Sequence, residues 1–318
     1  MNFARSALWR ISTFAGGLFV ASLIVFSLFT VVGGDAAAAI LGQEATPETL
    51  AALRSEMGLD RPVHEQYLDW IAGFVRGDLG ESFISRRSIA GEILQRVEVT
   101  VPLAFGAMSL VLLIALPMGY LAAVRNRTTL GAVISLGSQI GISFPAFWLG
   151  LLFAILFGIQ LGWLPVGGFP GWSEDFWGSI RSLILPALSL ALISGSVLTR
   201  YVRTSVLEVM NEPYVQVMAR AKGLNTRQAL IRHGARNAVI PVLTVAGIQF
   251  GTLLGGTIVI ENVFFLPGLG RLLLTSVELR DIQIVQSVAV ILAGMVLTLN
   301  LITDLLYMAV DPRMRTRS

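Results

Sequence analysis

Long uncharged apolar runs alternate with short charged stretches along this chain, and their lengths predict membrane spans. Ile11 to Gly34 carries no charge over more than twenty residues. That matches the roughly 20 residues of a bilayer-spanning helix and exceeds the roughly 7–15 of a secretory signal core. A second span is predicted over Val99–Val124, with Pro102 tolerated in its first turn and Pro117 kinking it. The uncharged run Thr128–Ser173 is too long for one helix. It reads as a span ending near Leu161, followed by a loop marked by Trp163, Pro165, Gly167, Gly168, Pro170, Trp172 and Trp177, because tryptophan favours the headgroup layer. Further spans are predicted over Ser182–Thr199, Asn237–Ile260 and Ile282–Thr303. In the fifth, Gly247, Gly251, Gly255 and Gly256 form a small-residue face that lets membrane helices approach closely.

The polar stretches orient these spans. Residues 35–98 hold eleven acids and six arginines. Pro47 after Thr46 predicts a helix start and Gly58 its end. A second helix is predicted from about Pro62 to Arg76, with Val63, Tyr67, Trp70, Ile71 and Phe74 on one face that packs on neighbours or lies at the membrane surface. Six spans put both termini on one side. Segments on that side hold fourteen basic residues and three acids, against nine and sixteen on the other. The excess of arginine makes both termini cytoplasmic. The expected architecture is an all-α integral membrane protein with six transmembrane helices and a long external loop after the first. Its parts are 1–34 (cytoplasmic N-terminus and first helix), 35–98 (external region), 99–308 (core with five spans) and 309–318 (cytoplasmic tail).

The most basic stretch, Tyr214–Pro241, crowds Arg220, Lys222, Arg227, Arg232 and Arg236 between two apolar runs. Each charge at the bilayer centre would cost about 3 kcal/mol or more, so the stretch lies outside the membrane. Met218, Ala219 and Ala221 continue a helix that Gly223 ends. Asn225 then caps a second, with Gln228 in the reciprocal position and Ala229, Leu230 and His233 along one side. Within the cytoplasmic segment 205–237, this pattern predicts a docking element on which a soluble partner pushes. The plainer alternative is a basic loop that only enforces topology.

Composition removes other classes. Apolar residues make up 54% of the 318, charged ones 14%, and mean hydropathy is +0.74. With no cysteine, disulfides, thiolate metal sites and cysteine nucleophiles are excluded. The sole lysine, Lys222, lies between Ala221 and Gly223 and cannot complete a phosphate-binding Gly-Lys-Ser/Thr loop. Any ATP-driven step must be powered by a partner. His64 and His233 stand apart from one another and outside the spans, so neither a metal centre nor a catalytic pair is indicated.

Several motifs then align in order: GLDRPVHEQYLDW (58–70), RGDLGESF (76–83), FPAFWLGLLF (144–153), LGWLPVGGF (161–169), ARAKGL (219–224), RHGARNAVIP (232–241), GGTIVIENVFFLPGLGRLL (255–273) and DLLYMAVDPRMR (304–315). With them the chain resembles the ABC-transporter permeases for dipeptides, oligopeptides and nickel, over nearly its whole length. The resemblance implies a type I importer permease of the prokaryotic inner membrane, forming half of a translocation pathway by alternating access. It implies a homologous second permease, two cytoplasmic ATPase subunits or domains binding ATP and magnesium, and an external substrate-binding protein. This chain itself would hold no cofactor and is not an enzyme. The family's docking motif, Glu-Ala-Ala then Gly four residues later and a proline thirteen further on, maps to Val217, Met218, Ala219, Gly223 and Arg236. Only Ala219 and Gly223 match that general form. The ATPase-coupling residues implied are Ala219, Arg220, Ala221, Lys222, Gly223 and Leu224, with Pro241 and the glycine-rich fifth span transmitting their shift. At the end of the first span, where the family has Pro-Gly-Asp-Pro, this chain has Gly33, Gly34, Asp35 and Ala36.

Polar residues within the spans are pathway candidates on chemical grounds: Gln139, Ser143, Gln249, Asn300 and Asp304. Bonding to a neighbouring helix explains each equally well. An ion-gradient-driven secondary transporter is the alternative class, but it calls for buried ionisable groups and inverted repeats that the spans lack. A membrane-embedded enzyme would need a nucleophile–base pair or metal ligands there.

Overall fold

A computed structural model describes residues 3–32, 36–41, 45–82, 84–221, 228, 230 and 235–310. Its helices are α1 (Phe3–Val32), α2 (Ala36–Leu41), α3 (Pro47–Glu56), α4 (Val63–Arg76), α5 (Ile89–Val124), α6 (Thr129–Ile142), α7 (Ala146–Phe153), α8 (Phe176–Asn211), α9 (Pro213–Ala221), α10 (Ala235–Val263), α11 (Leu269–Glu278) and α12 (Ile282–Val310). Gly33, Gly34 and Asp35 lie outside the described residues. The fold divides into two compact units. One comprises 11–100 and 267–298, the other 1–10, 101–266 and 299–318.

In the first unit, sequence dictates the caps. Thr46 and Thr49 bond reciprocally at the start of α3, with Pro47 in its first turn. Gly77, at φ 79°, closes α4 in the left-handed conformation that glycine tolerates. The α4 face docks on α1: the Tyr67 hydroxyl lies 2.9 Å from that of Ser22, and the Phe26 ring is 5.3 Å from Tyr67 and 5.8 Å from Trp70. Val63 is exposed, so the packed stripe begins at Tyr67.

The second predicted span starts earlier than hydropathy indicates. Residues 89–98 are polar enough to fall outside the run, yet Ile89 and Ile93 bury against Leu269, Leu272, Ile284 and Val288. Glu92 and Arg96 pair on the side of the same turns. Pro102 is therefore interior to a 36-residue helix, as is Pro117.

In the second unit α8 is the hub and the most buried of the candidate spans. Predicted as Ser182–Thr199, it runs from Phe176 to Asn211, with Asp175 capping its start. Its buried hydroxyls do not break it, because Ser182 and Ser189 donate to the carbonyls of Ser179 and Leu185 in their own helix. Small residues set the crossings. A Cβ on Gly119 of α5 would meet Val202 at 2.5 Å, and one on Gly256 of α10 would meet Leu190 at 3.0 Å. Gly141 of α6 sits against Ser196 in the same manner.

The predicted third span is broken. α6 and the helix from Ala146 to Gln160, whose last seven residues form a π-helix, meet at 102°. Pro145 is the cause: it disfavours helical backbone at Phe144 and gives the second piece its own start. Among the described residues five other helices are long and apolar enough to cross a bilayer. Arg10, near the start of α1, pairs with Asp304, near the end of α12. Those two ends therefore lie on the same side, which demands an even number of crossings. Counting the broken pair once gives six.

Candidate functional site

Thirty-six residues of α8 extend roughly 54 Å, well beyond the ~30 Å of bilayer hydrocarbon. Part of α8 therefore lies outside any bilayer it crosses, and its last turns carry α9. Glu212, in extended conformation, makes the corner, and Pro213 opens α9. Val215 is fully buried and anchors the short helix. Tyr214, Val217 and Ala221, at spacings of three and four, occupy one exposed side, Val217 at 62% exposure. The Ser205 hydroxyl donates to the Ala238 carbonyl at 2.9 Å, tying the end of α8 to the first turn of α10. A push on α9 therefore reaches two spans together.

Ala219, Arg220 and Ala221 form the last turn of α9, while Lys222, Gly223 and Leu224 lie outside the described residues. So do Asn225, Ala229 and His233, on which the predicted second helix rests. Gln228 is exposed and Leu230 buried. Pro241 lies inside α10, two turns from its start.

Of the pathway candidates, Gln139, Ser143 and Asn300 are exposed on α6, its C-cap and α12, whereas Gln249 is buried in α10. The Ser143 hydroxyl bonds the Gln139 carbonyl, 3.3 Å away in the preceding turn. Asp304 is engaged by Arg10, which makes it an inter-helix ion pair. The glycine stripe of α10 splits: Gly247 packs on Thr303, while Gly255 has nothing within 4 Å. Gly255 belongs to an open face with Ile248, Thr252 and Val259.

Three of the sequence motifs meet at Phe264, whose side chain is fully buried. A Cβ on Gly150 would meet its ring at 3.1 Å, one on Gly167 would fall 2.5 Å from its carbonyl oxygen, and Gly168 N–H donates to that carbonyl at 3.1 Å. The loop after the π-helix is thereby latched to the end of α10. A second latch went unseen in the sequence: the Ser82 hydroxyl donates to the buried Asp281 carboxylate at the start of α12. The motif containing Ser82 was visible, but nothing local announces a partner 199 residues away. Glu261, also fully buried, is a further acid that hydropathy alone did not single out. Among the described residues no cluster of three or more His, Asp or Glu is placed to hold a metal ion.

Residues 115–316 match the family model described as binding-protein-dependent transport system inner membrane component, and residues 5–104 match its N-terminal companion. The glutathione transport system permease protein GsiC of Escherichia coli K12 is 40% identical over 301 residues, covering 94% of each chain; GsiC of Salmonella typhimurium LT2 is equally similar. In fold, the chain resembles the MetNI methionine ABC transporter in inward facing conformations, with a TM-score of 0.57 at 19% identity, over 69% of this chain and 96% of that one. An amino acid ABC transporter crystallised with histidines gives 0.50 at 20% identity, over 69% and 94%. The chain belongs to the binding-protein-dependent transport system inner membrane components and is a multi-pass permease subunit of an ABC importer.

Proposed function

We propose that this permease forms half of a pathway for small peptide-like solutes and that α9 is the contact through which cytoplasmic ATPases drive it. The exposed Tyr214–Val217–Ala221 face at the tip of α8 carries this reading. An apolar side outside the membrane, flanked by a basic segment, is what a soluble partner would cover. Both termini are cytoplasmic, because that orientation puts Arg125, Arg127 and the segment around α9 on the inside. The open face of α10 is the surface for a homologous second permease. A binding protein delivers solute from outside, and ATP with magnesium stays on the partner subunits. Nucleotide shifts the equilibrium between inward and outward states only through a difference in how the ATPases hold α9 in each.

A peptide cargo is supported by the similarity to glutathione permeases. The test is uptake of labelled glutathione, a dipeptide and nickel by cells with and without the gene, under ATP-replete and ATP-depleted conditions. Loss of ATP-dependent peptide uptake on deletion is expected. Loss of nickel uptake alone would change the cargo, and uptake indifferent to ATP would refute the mechanism.

A further inference from the structure

A cavity of about 640 Å³ lies within the unit built from 11–100 and 267–298, between the outer end of α1, the loop and face of α4, and the α11–α12 junction. Its size falls within the range of roughly 300–1,000 Å³ seen for small-molecule sites. One wall is aromatic, with Phe26, Phe29 and Trp70. Another is formed at Gly58 and Gly80, whose φ values of 67° and 74° suit glycine.

Its charges are not all used internally. Arg61 is held by Glu65 and Asp69, and Asp281 by Ser82. Arg280 lines the cavity and makes no ion pair among the described residues. Its backbone sits at φ 60°, fixed by the turn where Asp281 N–H donates to the Ser276 carbonyl at 2.9 Å. Gln283 lies beside it in the wall.

We infer that this cavity is an extracytoplasmic binding site for a small zwitterionic peptide, with its carboxylate on Arg280 and an apolar side chain against Phe26 and Trp70. The inference rests on the peptide-permease reading above and adds a site distinct from the polar span residues. It would hold solute on the permease itself, before the spans.

The test is equilibrium binding of labelled leucyl-phenylalanine and of glutathione to the full chain in nanodiscs of pure phosphatidylglycerol. Saturable binding is expected, weakened about tenfold or more by Arg280→Gln and by amidating the peptide's carboxylate. Arg76→Gln, an exposed charge outside the cavity, leaves it unchanged. Absence of binding by either peptide, or equal binding by Arg280→Gln, overturns the inference. Displacement of the peptide in phosphatidylethanolamine nanodiscs also overturns it and assigns the cavity to lipid. ATP-driven uptake measured in parallel separates the two failures. Peptide uptake without cavity binding removes the site alone, whereas no peptide uptake removes the reading beneath it.

Discussion

Gly167 is where the loop after the π-helix touches the end of α10 most closely, and alanine there should loosen the permease. The added Cβ would sit 2.5 Å from the Phe264 carbonyl oxygen, inside the 3.4 Å at which ordinary contact begins. The loop must retreat by roughly 0.9 Å. Its neighbour Gly168 would then lose much of its 3.1 Å bond to the same carbonyl. Overpacking of this kind costs about 1–3 kcal/mol, and the weakened hydrogen bond about 0.5–1.5 kcal/mol. Together they give a destabilisation of about 1.5–4.5 kcal/mol and a fall in apparent Tm of roughly 2–7 °C. The assay is thermal unfolding of purified chain in detergent at a fixed scan rate. Gly106→Ala on α5 is the comparison, since its Cβ meets nothing within 4 Å; it should be neutral or slightly stabilising. A Gly167→Ala protein as stable as Gly106→Ala would refute the latch.

Val217→Asp places a charge on the exposed side of α9 and should reduce ATP-dependent uptake at least tenfold while the chain still inserts, as membrane-fraction immunoblots would show. Ser82→Ala leaves the buried Asp281 carboxylate without its hydroxyl donor and should cost about 1–3 kcal/mol by thermal unfolding. Asp281→Asn in the Ser82→Ala background should recover part of it, because a neutral amide is less costly to bury. Arg10→Asp and Asp304→Arg should each lower the amount of folded permease, and the double exchange should restore it by size-exclusion chromatography if the two helix ends meet. Because the chain has no cysteine, single cysteines map topology directly: Ser173→Cys should label from outside with an impermeant maleimide, and Arg127→Cys only after the membrane is opened.

Hydropathy and charge made most of the fold legible. The start of the last span at Ile282, the cap at Thr46 and the aromatic stripe from Tyr67 to Phe74 all follow from local chemistry. The departures have a common cause. Spans predicted from apolar runs stop where polar residues begin, but α5 and α8 continue through them. Ile89 and Ile93 find apolar partners about 180–200 residues away, and Ser182 and Ser189 of α8 satisfy themselves on their own helix. Pro145 was in plain view, yet its 102° bend depends on where both halves dock. The segment that carries α9 was legible as a basic insert. That its exposed side is apolar, at Tyr214, Val217 and Ala221, required knowing that Val215 is the residue turned inward. The cavity had no sequence signal at all, because its walls come from α1, α4 and the α11–α12 junction.

The most direct test of the coupling role is photo-cross-linking from position 217. A photoreactive amino acid replacing Val217, irradiated in cells expressing the whole transporter, should capture the ATPase subunit. The same group at Trp177, exposed near the opposite end of α8, should not. An ATPase adduct from 217 alone places the engine on α9. No ATPase adduct from 217, or one from Trp177, would contradict the proposed docking and the orientation on which it depends.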